Sequence, residues 1–95
     1  MVFAKTLRET DVRKRLALPT KSMKHMPDFR GRHEVDLAVR DMQGSRWHFG
    51  YSIRKKGHSN PVLSSGWREF VRYKHLTPGD EVIFNLEPEF NVAAA

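Results

Sequence analysis

Six cations stand in two runs of three, Arg13-Lys14-Arg15 and Arg54-Lys55-Lys56, and their grouping is the clearest chemical signal in this 95-residue chain. Lys5 and Arg8 precede the first run, and Lys21 and Lys24 follow it. Gly57, His58, Ser59 and Asn60 follow the second. Arginine and lysine neutralise phosphates. Arginine also forks onto guanine in the major groove, and asparagine onto adenine. A glycine lets the backbone come close to a ligand. Polar loops are common on any protein, but two triple-cation loops in one small chain point to a polyanionic partner.

No comparable case exists for catalysis. His25, His33, His48, His58 and His75 include no pair spaced as H-x-x-x-H, and the chain has no cysteine. Metal-ligand spacing, a disulfide framework and a thiol nucleophile are therefore missing. Neither G-x-S-x-G nor a phosphate-cradling glycine loop occurs. Asp11, Asp36, Asp41 and Asp80 fall at turns or in strands, where a carboxylate caps a turn or faces solvent. These observations point away from an enzyme, a metal, a cofactor or a small-molecule substrate.

The charge distribution locates the positive field. Residues 1–30 carry eight Lys/Arg against three acids, residues 31–60 six against three, and residues 61–95 three against five. The first two thirds thus carry more than the whole net charge of +6, and such a field attracts nucleic acid or an acidic surface. No apolar run approaches the roughly 20 residues that span a bilayer, and Lys5, Arg8 and Asp11 interrupt any signal-peptide reading.

Short β-strands must hold the two basic loops. Val2 to Leu7 reads as a strand, broken before Thr10, Asp11 and the first cluster. Leu16-Ala17-Leu18 is a second, stopped by Pro19. Thr20 to Met26, between Pro19 and Pro27, suits a short helix. Val35, Leu37 and Val39 alternate with polar or small residues. After an Asp41–Gly44 turn, so do Trp47, Phe49, Tyr51 and Ile53, which predicts a hairpin. An exposed row of aromatics could stack on single strands, but this row contains no cation and reads as a core face. Ser64 or Ser65 can cap a helix starting near Gly66, with Trp67, Phe70 and Val71 as its apolar stripe. Arg68 and Arg72 on that helix fall in the acidic third of the chain, outside both basic loops. Thr77-Pro78-Gly79-Asp80 is a turn, and Val82, Phe84 and Leu86 form a last alternating strand. Six or seven short strands with two short helices predict an open or closed barrel. One domain is expected over residues 1–90, and residues 91–95, with Ala93-Ala94-Ala95, read as a featureless tail.

The ordered series Phe3-x-Lys5-x-Leu7, Thr10-Asp11-Val12, Leu16-x-Leu18-Pro19, Asp41-x-x-Gly44-x-x-Trp47-x-Phe49, Val62-Leu63-x-x-Gly66-Trp67-x-x-Phe70-Val71, Leu76-x-x-Gly79-Asp80 and Val82-x-Phe84 resembles the plant B3 DNA-binding domain. The resemblance runs from about residue 2 to 87. It implies a mainly β fold, a seven-stranded open pseudobarrel with two short α-helices. It also implies double-stranded DNA as partner, held by two arms in the major groove, and a transcription regulator acting in the nucleus. The first arm corresponds to about Thr10 to Arg15 and the second to about Ser52 to Asn60, the same two basic loops found from charge. Arg15, Arg54 and Asn60 are then expected at base edges. Lys5, Arg13, Lys14, Lys21, Lys55, Lys56 and Ser59 are expected at phosphates. Relative to the family pattern, the first arm is about two residues shorter and the second about one longer. Arg54 stands where some relatives carry tryptophan. The rival reading keeps the same fold as a protein-interaction module with weak, non-specific affinity for nucleic acid.

Overall fold

The computed structural model describes residues 2–53, 60–85 and 89–94. Its elements are β1 (Val2–Thr6), α1 (Glu9–Arg13), β2 (Leu16–Ala17), a 3-10 helix (Thr20–His25), β3 (Glu34–Asp41), β4 (Arg46–Ser52), β5 (Val62–Leu63), α2 (Trp67–Lys74), β6 (Glu81–Asn85) and β7 (Asn91–Ala94). The strands form one seven-stranded sheet in the order β1-β6-β7-β3-β4-β5-β2. Its two edges are β1 and β2, so the curled sheet has a seam between the first two strands of the chain.

The alternation predicted for the hairpin holds where it matters. Leu37 and Val39 on β3 and Phe49 and Tyr51 on β4 are buried, while Asp36, Ala38 and His48 face outward. Trp47 and Ile53, expected on the same core face, are only half-buried. The α2 stripe is buried as predicted. Trp67 and Phe70 meet Phe49 edge-on at 5.8 and 5.6 Å between centroids, geometry that adds attraction beyond area burial. Gly66 allows this docking. Its φ is +81°, and a Cβ there would lie 2.1 Å from the His48 carbonyl oxygen. The Leu76-x-x-Gly79-Asp80 turn fastens to the end of β1 by Leu7 N–H to the Asp80 carbonyl at 2.8 Å and Gly79 N–H to the Leu7 carbonyl at 2.9 Å.

The Asp41–Trp47 motif is a structural knot. The Asp41 carboxylate accepts bonds from Gln43 and Ser45 N–H, both 2.9 Å, and from the Trp47 indole at 3.0 Å. It also pairs with Lys74 of α2 at 3.0 Å. Burial opposes its charge, but the bonds from Trp47, Lys74, Ser45 and Gln43 outweigh burial and lower its pKa to about 2.

Three elements differ from the sequence reading. Residues 91–94, expected as a tail, form β7, which pairs antiparallel with β6 and parallel with β3. One buried apolar side chain, Val92, and backbone bonds on both sides hold it, so composition carried no strand signal. The segment after Pro19 is a 3-10 helix, ended where Met26 N–H bonds the Met23 carbonyl at 3.1 Å. The second α-helix is instead α1, within the first basic loop.

Candidate nucleic-acid interface

The first basic loop is built on a buried carboxylate. Asp11 sits in the first turn of α1 and accepts the Arg8 N–H at 2.8 Å, the Lys5 ammonium at 3.0 Å and the Ala17 N–H at 3.3 Å. Its own carbonyl accepts the Trp67 indole N–H at 2.7 Å. One residue thereby ties β1, α1, β2 and α2 together. The one-turn helix closes with Lys14 N–H on the Thr10 carbonyl at 2.9 Å. Thr10, Arg13, Lys14 and Arg15 are exposed on this frame, and the next residue, Leu16, is fully buried. Arg13 pairs with Glu9 one turn earlier at 3.0 Å. Among the described residues, Lys14 and Arg15 have no carboxylate partner.

Lys5 occupies a different place. Its side chain is 19% exposed, and its ammonium lies on Asp11 and on the Ala17 carbonyl, bridging the seam between β1 and β2. Its donors serve the fold, which sets it apart from the exposed cations it was grouped with.

The second basic loop leaves β4 at Ser52, which is half-buried opposite Glu34 and Val62. Arg54, Lys55, Lys56 and Ser59 lie outside the described residues. The loop returns at Asn60, which is exposed and accepts the Thr20 hydroxyl at 2.7 Å. The next residue, Pro61, accepts Leu18 N–H at 2.8 Å, so the return strand is fastened beside the 3-10 helix. Lys21, exposed and without an ion pair among the described residues, stands next to Thr20 at the root of this loop rather than beside the first one.

The β2–β5 ladder relates the two roots. Leu16 pairs with Leu63 and Ala17 with Val62, antiparallel, so Arg15 and Asn60 leave from opposite ends of it. In this register Asn60 falls opposite Pro19, four residue steps along the strand from Arg15, a span of about 13 Å. Both loops are thus rooted on the same pair of short strands, on either side of it.

The aromatic row is no stacking platform. Phe49 and Tyr51 are fully buried, and the half-buried Trp47 packs edge-on against Phe70 at 5.1 Å. Two cations that charge counting set aside do come close to the first loop: Arg68 and Arg72 of α2 line a cleft with Arg13 and His75. More than fifty residues separate them in the chain, so no local sequence signal could have joined them.

A seven-stranded open pseudobarrel with a cationic loop fastened at its seam through Asp11 is the architecture these observations define. The B3 DNA binding domain model matches residues 3–93, and the chain belongs to that family. It is 37% identical over 94 residues to an AP2/ERF and B3 domain-containing protein of Oryza sativa subsp. japonica, covering 88% of this chain and 29% of that protein. It is 33% identical over 90 residues to the B3 domain-containing transcription factor VAL3 of Arabidopsis thaliana, covering 93% of this chain and 13% of that protein. The chain spans less than a third of either relative. The fold superposes on the Arabidopsis FUS3 chain solved as a complex with DNA, with a TM-score of 0.82 at 23% identity, over 97% of this chain and 93% of that one.

Proposed function

We propose that this chain is the DNA-binding domain of a plant transcription regulator and binds duplex DNA in a sequence-specific manner, without catalysis, in the nucleus. Family membership over residues 3–93 supports the function, and the observation that carries the mechanism is the pair of basic loops on one ladder. The span of about 13 Å between their roots compares with a major groove about 12 Å wide. In this reading the residues 10–15 arm and the residues 52–60 arm enter one groove. Arg15, Arg54 and Asn60 read base edges. Arg13, Lys14, Lys21, Lys55, Lys56 and Ser59 meet phosphates, with Thr10 and Ser52 at the arm roots. In this reading Lys5, paired with Asp11, stays with the fold and is left out of the phosphate set.

The five cations placed at phosphates, seven when Arg15 and Arg54 also neutralise the backbone beside their bases, give a slope of log K against log salt near −4 to −6, at roughly −0.9 per contact. A salt titration on a duplex selected from a random pool, beside the matching single strand, tests this. A slope near zero, or equal affinity for the single strand, overturns the proposal.

A further inference from the structure

The α1–α2 cleft is cationic well beyond what the arms require. It encloses about 510 Å³, and Arg13 from α1 meets Arg68, Arg72 and His75 from α2 and its end, over a floor that includes Val12 and Val71. Arg68 and Arg72 stand one helical turn apart, both exposed, a like-charge arrangement that weakens an isolated helix. Neither has an ion pair among the described residues, and Glu69 beside them has none either. Among the described residues, the only acid paired with a cation of the cleft is Glu9, which is exposed and pairs with Arg13 at 3.0 Å. Exposed pairs of this kind are weak and exchange readily for another anion. The surrounding third of the chain is net acidic, so general basicity does not account for a cationic cleft here.

We propose that this cleft is a third DNA contact, a cradle for one or two backbone phosphates flanking the stretch that the arms read. The inference rests on the duplex-binding function proposed above. Arg13 is the link. It lies on the helix that begins the first arm, so a duplex held by that arm runs past α2 and brings its phosphodiesters to the cleft. Arginine suits the task because its planar fork holds two phosphate oxygens at once. The contact carries no base information. It lengthens the footprint on the α2 side and adds affinity that depends on salt.

The test compares two duplexes with the same selected site, one ending at the site and one extended by a helical turn on each side. The proteins are the parent, Arg68→Gln/Arg72→Gln and Arg68→Lys/Arg72→Lys, each first shown to melt with the parent. The parent is expected to bind the long duplex more tightly and with a steeper salt slope. The Gln pair loses that gain, roughly five- to tenfold at 0.1 M salt, and its slope on the long duplex is shallower by about 0.9 for each phosphate lost. Its affinity for the short duplex and its base preference stay unchanged. The Lys pair keeps most of the gain. If the Gln pair matches the parent on the long duplex, or loses equally on both lengths, the cradle is overturned. A parent that does not prefer duplex over single strand overturns the proposed function itself, which is a different result.

Discussion

Removing the Asp11 side chain separates the fold's use of charge from the DNA's. Asp11→Ala deletes the acceptor of two backbone N–H groups, Arg8 at 2.8 Å and Ala17 at 3.3 Å, and the partner of the Lys5 ammonium at 3.0 Å. Each orphaned N–H costs about 1–1.5 kcal/mol when it cannot reach water. Losing the ion pair adds roughly 1–2 kcal/mol, below the 3–5 of a fully buried pair because Lys5 keeps some contact with solvent. The sum is about 3–5 kcal/mol, a large part of a small domain's stability. At roughly 4–8 °C per kcal/mol for a domain near 100 residues, melting should fall by about 12 °C or more. Lys5→Met, which keeps the stem and removes the ammonium, should cost roughly 1–2 kcal/mol by the same reasoning. Its salt slope for duplex binding, measured well below its melting point, should match the parent's. Circular dichroism melts and salt titrations on the two variants are the assays. A Lys5→Met protein that melts with the parent while its slope flattens by about 0.9 would place Lys5 on a phosphate and refute the reasoning.

Other consequences follow from the core and the hairpin knot. Trp67→Ala removes a fully buried indole and its bond to the Asp11 carbonyl, and should cost roughly 3–5 kcal/mol in a denaturant titration; melting within a few degrees of the parent would contradict its place in the core. Tyr51 is fully buried and its hydroxyl has no hydrogen-bond partner among the described residues, so Tyr51→Phe should leave stability unchanged or slightly raised. Burial also pushes the Tyr51 phenol up, so its ionisation in an ultraviolet pH titration should come above the ordinary phenol range. The lowered pKa of Asp41, about 2 when folded, stabilises the fold above the ordinary carboxylate range, and this contribution is lost as pH falls through about 2. It amounts to about 2 kcal/mol, from a pKa lowered from 3.8 to about 2 at roughly 1.4 kcal/mol per pKa unit. Asp41→Asn should therefore flatten the acid limb of a stability–pH curve between about pH 5 and 2, and an unchanged limb would deny Asp41 that role.

Much of this architecture was legible in the chain because it obeys local rules. The period-two rows of β3 and β4, the apolar stripe of α2 and the turn at Gly79 each follow from neighbours within a few residues. What was not legible depends on distant partners. Asn91–Ala94 becomes a central strand only because β6 and β3 offer backbone on both sides. Helix α1 is five residues long and owes its place to Trp67, 56 positions away from Asp11. The candidate site divides in the same way. Two cation runs announced both loops, and Lys14 and Arg15 are exposed without carboxylates among the described residues. Lys5 carries the same charge as they do, yet its buried partner at position 11 turns it inward. Arg68 and Arg72 looked remote from the first arm, and the packing of α2 against α1 brings them to Arg13.

The two-arm mechanism is tested most directly by base preference. The parent, Arg15→Ala and Arg54→Ala are titrated on the duplex selected from a random pool, on its single-position variants and on a scrambled duplex. Each arginine variant is predicted to lose roughly 1–3 kcal/mol on the selected site, to become indifferent at one base position, and to bind the scrambled duplex nearly as the parent does. If both variants weaken every duplex equally and keep the parent's preference at all positions, the arms supply only charge and the mechanism is wrong.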